Sequence, residues 1–382
     1  MQSSLVPEVA AANDLTRRWT EIAGSGNFVL SGCGVWPLLA LLAPTATGPA
    51  RTELATAAGV PADAGHQACL SLLERIRRSE SIRTALGLWA PPQTPLIEEW
   101  VRSLPPGTVG ALNQRTELDE WAALHTDGLI DRFPVHIDQS TALALATAVV
   151  ARTSWTERFH ADVLEPASGP WRGHRGPALS RNGRPGRASV LTGEEPVTKT
   201  VVAGNNDLDV HLLLGPDSAT PAQVLAAGFG ALDGSIGAVP VASVGPAPGT
   251  SVREVRALSD FLRIQLPPFD IRSDHDLLPD AELFGLPAAA TPTRTGHFPG
   301  LSTRPLYLSA AGQNVRARFT AEGFDAAAVS AFAMNVGSVP VARPSRPSLC
   351  VEIVFDRPFG FLGVHRDTGM VVVAGWVATP AA

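Results

Sequence analysis

Nine histidines, three cysteines, one lysine and a few acidic pairs are the residues of this 382-residue chain with chemistry to offer. None falls into a catalytic spacing. No histidine stands in an HExxH pair, so the helical zinc-protease pattern is missing. No serine sits in GxSxG, which leaves an α/β-hydrolase elbow unsupported. Gly24-Ser25-Gly26 and Gly32-Cys33-Gly34 lack the third glycine of a dinucleotide loop, and no βαβ unit surrounds them. Lys199 lies in Val197-Thr198-Lys199-Thr200, away from any glycine-rich phosphate loop. Glu98-Glu99 and Glu194-Glu195 are chain neighbours and read as solvated pairs. His211, on an apolar strand, reads as a histidine satisfied within its sheet. Cys33, Cys69 and Cys350 are too widely spaced for a zinc site and odd in number for a disulfide framework. Three buried thiols in a reducing compartment are expected. No nucleophile, base and orienting group can be assembled, so the chain is not read as an enzyme.

Composition narrows the class further. With 45% hydrophobic and 17% charged residues, the chain has ample material for a core. The net charge of −6 gives no overall pull towards nucleic acid or an anionic membrane. Arg172, His174, Arg175, Arg181, Arg184 and Arg187 cluster among glycines and prolines with no acid between them. Only Trp171 adds an aromatic ring, so this segment reads as a flexible solvated insertion rather than a polyanion site. The first residues lack a basic stretch followed by an apolar one, so no signal peptide is read and a cytoplasmic location is expected. The apolar run 35–43 is too short to span a bilayer and contains Pro37.

The elements that must position any site are legible by their periods. Helical spacing of Val6, Val9, Leu15, Trp19 and Ile22 predicts a helix over residues 6–22. Residues 35–42 read as a buried helix entered through Pro37 near its first turn. Further helices are expected from about residue 51 to Gly59, over 66–79, 118–129 and 221–232, with a short one over 275–283 stopped by Gly285. Strands are expected at 27–31, 82–89, 208–214, 253–266, 307–319, 351–355, 359–364 and 370–377. The apolar run 143–150 is either a buried strand or a buried helix, and periodicity does not decide. Helices crowd the first third and strands the rest, which suits one α+β domain spanning residues 1–382.

One stretch stands apart. Val315, Ala317 and Phe319 alternate with Arg316, Arg318 and Thr320, the period of a half-buried strand. Glu322-Gly323 breaks it. Asp325 then leads into small residues, Ala326, Ala327 and Ala328 among them, and Gly337, Pro340, Pro344 and Pro347 keep the following chain irregular until residues 351–355. A long loop of small residues between two strands is usually functional or disordered.

Across nearly the whole chain, the order and spacing of several segments resemble the serpin family, as a divergent, bacterial-type member. Asn27-Phe28-Val29-Leu30-Ser31 is similar to the family's strand before its second helix. Trp121, Thr126, Gly128 and Ile130 are spaced as in the helix that lies across the main sheet. Residues 143–155 with Arg158-Phe159 resemble the central strand and its tryptophan. Leu266-Pro267-Pro268-Phe269, Phe298-Pro299-Gly300-Leu301-Ser302, and Pro358-Phe359 with Gly375 and Pro380 match in the same order. Ser31-Gly32, Gly34, Thr147 and Gln313 stand where the family places the polar network beneath its main sheet.

The resemblance implies an α+β fold with a large central mixed β-sheet, further sheets, surrounding helices and an exposed reactive-centre loop at about 321–348. It also implies a suicide inhibitor: a serine or cysteine protease cleaves the loop, which then inserts into the central sheet as a new strand and distorts the attached protease. Glu322, Gly323, Phe324, Asp325, Ala326, Ala327 and Ala328 would form the hinge. The scissile bond would join Gly337 and Ser338, a site for proteases that prefer small residues; Met334, Arg343 and Arg346 are other candidate cut sites. No cofactor, nucleic acid or membrane is implied, and a monomer is expected. Phe324 stands where the family usually has threonine, and Ala321 where it has glutamate. Inserting Phe324 costs roughly 1–3 kcal/mol of overpacking unless an apolar face receives it. The other class is a non-inhibitory binding protein on the same fold, its loop static or merely cleaved.

Overall fold

A computed structural model describes residues 5–112, 115–126, 128, 132–133, 141–325 and 346–381. Helix α1 (Pro7–Ile22) opens with proline, whose missing N–H costs nothing in a first turn, and buries Val9, Leu15 and Trp19. Strand β1 (Phe28–Leu30) leads into α2 (Gly32–Leu42), buried along its whole length. The Ser31 hydroxyl caps α2 by accepting from Gly34 N. This cap starts the helix three residues earlier than its apolar run, so Pro37 lies inside it and not in its first turn. Gly32 lets α1 and α2 touch, because a Cβ there would collide with Thr16. Helices α3 (Gly48–Ala58) and α4 (Ala62–Arg77) complete the N-terminal cluster.

Next come β2 (Ile82–Ala90), α5 (Glu98–Arg102), β3 (Val109–Ala111), α6 (Arg115–His125) and β4 (Ala144–Ser154). The undecided run 143–150 is therefore a strand. It is flanked on both edges and buried on both faces, which is why its apolar residues do not alternate. Then follow β5 (His160–Leu164), β6 (Gly176–Gly183), β7 (Ala188–Thr192), β8 (Pro196–Ala203), β9 (Leu208–Leu214) and α7 (Pro221–Asp233). The arginine-rich segment is not a flexible insertion. It holds β6 and runs up to β7, and Arg181 within it and Trp171 just before it are buried.

The remaining elements are β10 (Ala238–Pro240), β11 (Thr250–Ala257), β12 (Phe261–Leu266), β13 (Phe269–Asp276), α8 (Ala281–Phe284), α9 (Pro287–Ala290), β14 (Ala310–Phe319), β15 (Gly323–Asp325), β16 (Arg346–Val354), β17 (Phe359–His365) and β18 (Met370–Val377). The helix expected over 275–283 shrinks to α8, because His275 continues a strand. Its ring packs edge-on against Trp19 at 4.8 Å, and Nε2 meets the Val29 carbonyl at 2.8 Å. Residues 346–348, read as loop, are the start of β16, and Arg346 is a strand residue opposite Ala257.

Three sheets result. One runs β1-β18-β17-β9-β8-β7-β10, a second β11-β16-β12-β6-β5, and the third β13-β14-β15-β4-β2-β3. In the second sheet β16 is held between β11, antiparallel, and β12, parallel. The third is mixed: β14 runs parallel to β4, and β2 antiparallel to it. The expected α+β architecture with a central mixed sheet is the one observed.

Candidate functional site

The third sheet is forked. At one end β14 and β4 pair directly, from Ala310 opposite Ala144 to Gln313 opposite Thr147. At the other end they part, and β15 lies between them, antiparallel to both: Phe324 faces Phe319 on one side and Thr153 on the other. Residues 323–325 follow β14 through a tight turn closed by Thr320 N donating to Gly323 O. Gly323 is required there, since a Cβ would strike the Thr153 carbonyl oxygen.

The base of this turn is strapped down by the chain linking β4 to β5. Trp155 Nε1 donates to Thr320 O at 2.9 Å, Phe159 N to Ala321 O at 3.0 Å and Trp155 N to Glu322 O at 2.9 Å. Three successive carbonyls are thus satisfied by one five-residue segment. Its rings belong to an aromatic cluster with Phe319 and Phe269, which continues to Phe361 of β17.

Phe324 points into that cluster. It is 1% exposed, with its ring centroid 6.2 Å from that of Phe361. Gly363 of β17 lies across from it: a Cβ there would meet the Phe324 ring at 3.6 Å, an ordinary contact. The apolar face that the sequence left open as an alternative therefore exists, and Phe324 occupies it without an overpacked gap. Asp325 points the other way and pairs with Arg152 at 2.9 Å. A cavity of about 330 Å³ opens beside this pair, lined by Glu80, Arg318 and Glu322 among others. Glu322 itself is exposed.

At the closed end of the fork, the residues expected beneath the sheet are brought together. Gln313 makes two hydrogen bonds with the Ser31 backbone: Ser31 N donates to Oε1 at 3.0 Å, and Nε2 donates to Ser31 O at 2.9 Å. The Ser31 hydroxyl donates to Val372 O at 2.6 Å, tying this point to β18. A Cβ on Gly34 would stand 2.7 Å from Gln313 Nε2 and 3.2 Å from Thr147 Oγ1. Thr147 Oγ1 is buried with no partner among the described residues. The polar network is rebuilt around one glutamine rather than lost. Nearby, burial holds His275 below the usual histidine range, against the opposing pull of its bond to the Val29 carbonyl.

Of the expected site residues, the structure places Glu322, Gly323, Phe324 and Asp325 at the fork. Ala326, Ala327, Ala328, Gly337 and Ser338, with Met334 and Arg343, lie outside the described residues. Arg152 and Gly363 were missed. An arginine after an apolar strand, and a glycine in one, have no local pattern that points to a partner far along the chain.

His211 departs from its reading. It lies on β9 as expected, but its Nδ1 is buried with no hydrogen-bond partner among the described residues, and burial pushes its pKa down to about 3, aided by Lys199. Cys33, Cys69 and Cys350 are free and buried, and burial pushes the first two thiols up to about 11 and about 12. Among the described residues no helix is long and apolar enough to cross a membrane.

Known proteins were compared with the chain. Solved structures match over nearly its full length. Human thyroxine-binding globulin complexed with its hormone is 16% identical with a TM-score of 0.72, covering 98% of each chain. A serpin from the trematode Schistosoma haematobium is 14% identical at 0.70, covering 98% of this chain and 100% of its own. Native protease nexin-1 with heparin is 16% identical at 0.71, covering 98% and 99%. At such identities the likeness establishes the fold. No curated protein sequence matches the chain. The family model "Serpin (serine protease inhibitor)" matches residues 9–167 and 250–380. Family and fold support a function of the protease-inhibitor type with proteases as partners. Its members are generally inhibitors rather than catalysts, and the fold also serves a thyroxine-binding globulin. The chain belongs to the serpin family.

Proposed function

We propose that this protein traps a serine or cysteine protease by loop cleavage and insertion, acting as a monomer. The observation that carries the reading is the fork, whose gap already holds the first three residues of a new strand. Continuing the same register would set Ala326 against Ala317 and Ala151, and Ala328 against Val315 and Val149. Alternate side chains of an inserting strand meet the same covered face, so small residues are favoured there. Phe324 is the exception, and its place is already filled at rest, so insertion pays no further cost for it.

In this mechanism the protease nucleophile adds to the Gly337 carbonyl, the Ser338 amine leaves with a proton, and residues 326–337 zip into the gap before water reaches the acyl bond. The cleaved sheet gains a full strand on both sides of the gap, which is the driving force. Glycine at the cut favours proteases with small specificity pockets.

The test mixes the full chain with elastase-, chymotrypsin-, subtilisin- and trypsin-like proteases on denaturing gels. A covalent band, a large rise in the melting temperature of the cleaved protein and a cut at Gly337-Ser338 by mass spectrometry are expected. Cleavage with neither band nor rise would sink the inhibitory reading and favour a non-inhibitory binder.

A further inference from the structure

Arg181 is 8% exposed, on β6, one residue past the point where β5 stops pairing. Its guanidinium carbon lies 4.6 Å over the Phe159 ring centroid, and Nη1 donates to the Glu157 carbonyl at 2.7 Å. Its Nε is buried with no hydrogen-bond partner among the described residues. Burying a cation this way is costly, and an apolar side chain would cover Phe159 without that cost. What the arginine adds is a simultaneous grip on a backbone carbonyl and a ring of the same segment. That segment is the 155–159 strap, whose N–H groups hold the carbonyls of Thr320, Ala321 and Glu322. Thr156 also ties it, its N and Oγ1 both donating to Ala203 O, and the Trp155 and Phe159 rings pack on Phe319.

We propose that Arg181 is a positioning residue that locks the 155–159 strap against the base of the loop and so sets how often a cleaved loop inserts before the acyl bond is hydrolysed. The proposal rests on the inhibitory reading above. Residues 320–323 form the turn that sets β15 in the gap and from which the rest of the loop must follow, and a yielding turn slows insertion. Insertion competes with hydrolysis, so a slower step diverts protein into the cleaved, uncomplexed product. Burial lowers the guanidinium to about 10, which leaves it charged at neutral pH.

The test uses the full chain, an elastase-like serine protease and two variants. R181M keeps the packing on Phe159 and removes the charge and the donor, while R181K keeps the charge. With R181M the ratio of cleaved to complexed protein should rise about tenfold, and with R181K by no more than about threefold. Hydrogen exchange of the Trp155 and Phe159 amides should quicken in R181M in the same order of size, with β9 amides unchanged. A purely structural residue would not split partition from the exchange of β9. Unchanged partition and unchanged strap exchange in R181M would overturn the proposal. If R181M loosens β9 as well, R181K decides: partition and strap exchange as in R181M, without rescue, would count against it. If the unaltered protein is cleaved by this and the other three proteases with neither a covalent band nor a rise in melting temperature, the inhibitory reading fails, and strap exchange alone then decides whether Arg181 fixes the strap.

Discussion

Phe361 and Phe324 touch, are equally buried, and belong to sheets of opposite character. Phe361 sits mid-strand in β17, bonded on one side to β18 and on the other to β9, with its ring over Gly375. Every residue of β17 and β18 is buried, and large side chains such as Phe359, Phe361 and Trp376 fill that sheet's faces. Phe324 is the middle of the three residues of β15. Its neighbours on either side are Phe319 and Thr153, but towards the closed end its sheet is lined by small residues: Ala144, Ala146, Ala148 and Ala151 on β4, and Ala310, Ala311, Gly312 and Ala317 on β14. One sheet is paired along its full length; the other is parted at one end, where aromatic rings gather, and lined by small residues at the other.

The sharpest break of that comparison is to truncate both rings. Phe361→Ala should cost about 3–5 kcal/mol in urea unfolding, since the filled sheet cannot collapse around the hole. Phe324→Ala removes an equally buried ring, yet residues 323–325 can swing out without unfolding the rest. Its global cost is then capped by that local opening, at about 1–2 kcal/mol, with faster amide exchange confined to 320–325. Equal losses in the two variants would mean that the hinge end opens only with the whole molecule.

The sequence carried most of the elements but not the fork. Period-two alternation at Val315, Ala317 and Phe319 located β14, and helical spacing around Trp19 located α1, because each pattern is local. The run 143–150 stayed ambiguous because a strand buried on both faces has no polar phase. Phe324 looked like a steric fault since its receptors, Phe361 and Gly363, lie nearly forty residues on and in another sheet. Arg181 looked solvated among its neighbours because only the fold brings Phe159 beneath it. Gln313 stood at a position matching the family's polar network with its partner unstated, and only the fold shows its amide making two hydrogen bonds to the Ser31 backbone.

A middle-sized effect concerns the filled sheet. His211 on β9 titrates near 3 when folded, against about 6.5 when unfolded. Its folded value is depressed, so the unfolded chain takes up the proton first as pH falls. The stability that His211 contributes is complete above about pH 6.5 and drains by about 1.4 kcal/mol per unit on the way down towards 3. His211→Leu should flatten that share of the acid slope in urea titrations between pH 6 and 4. Exchange at 323–325 should keep the same pH dependence, because the fork lies in the other sheet. If H211L changed the hinge as much as the global slope, the two sheets would respond as one unit.

The smallest effect is expected at the mouth of the gap. Arg152 and Asp325 pair at 2.9 Å, but their side chains are 41% and 25% exposed, so water and salt screen them. Such a pair contributes about 0.2–1 kcal/mol. Asp325→Asn should therefore leave the melting temperature within about a degree of the unaltered protein's. Exchange of the 323–325 amides should quicken by up to about fivefold, and 0.5 M salt should act on the unaltered protein in the same direction. A melting temperature several degrees lower would show that the ion pair braces the whole sheet. The three inserted residues would then be part of a closed structure, and the contrast between Phe324 and Phe361 would lose its basis.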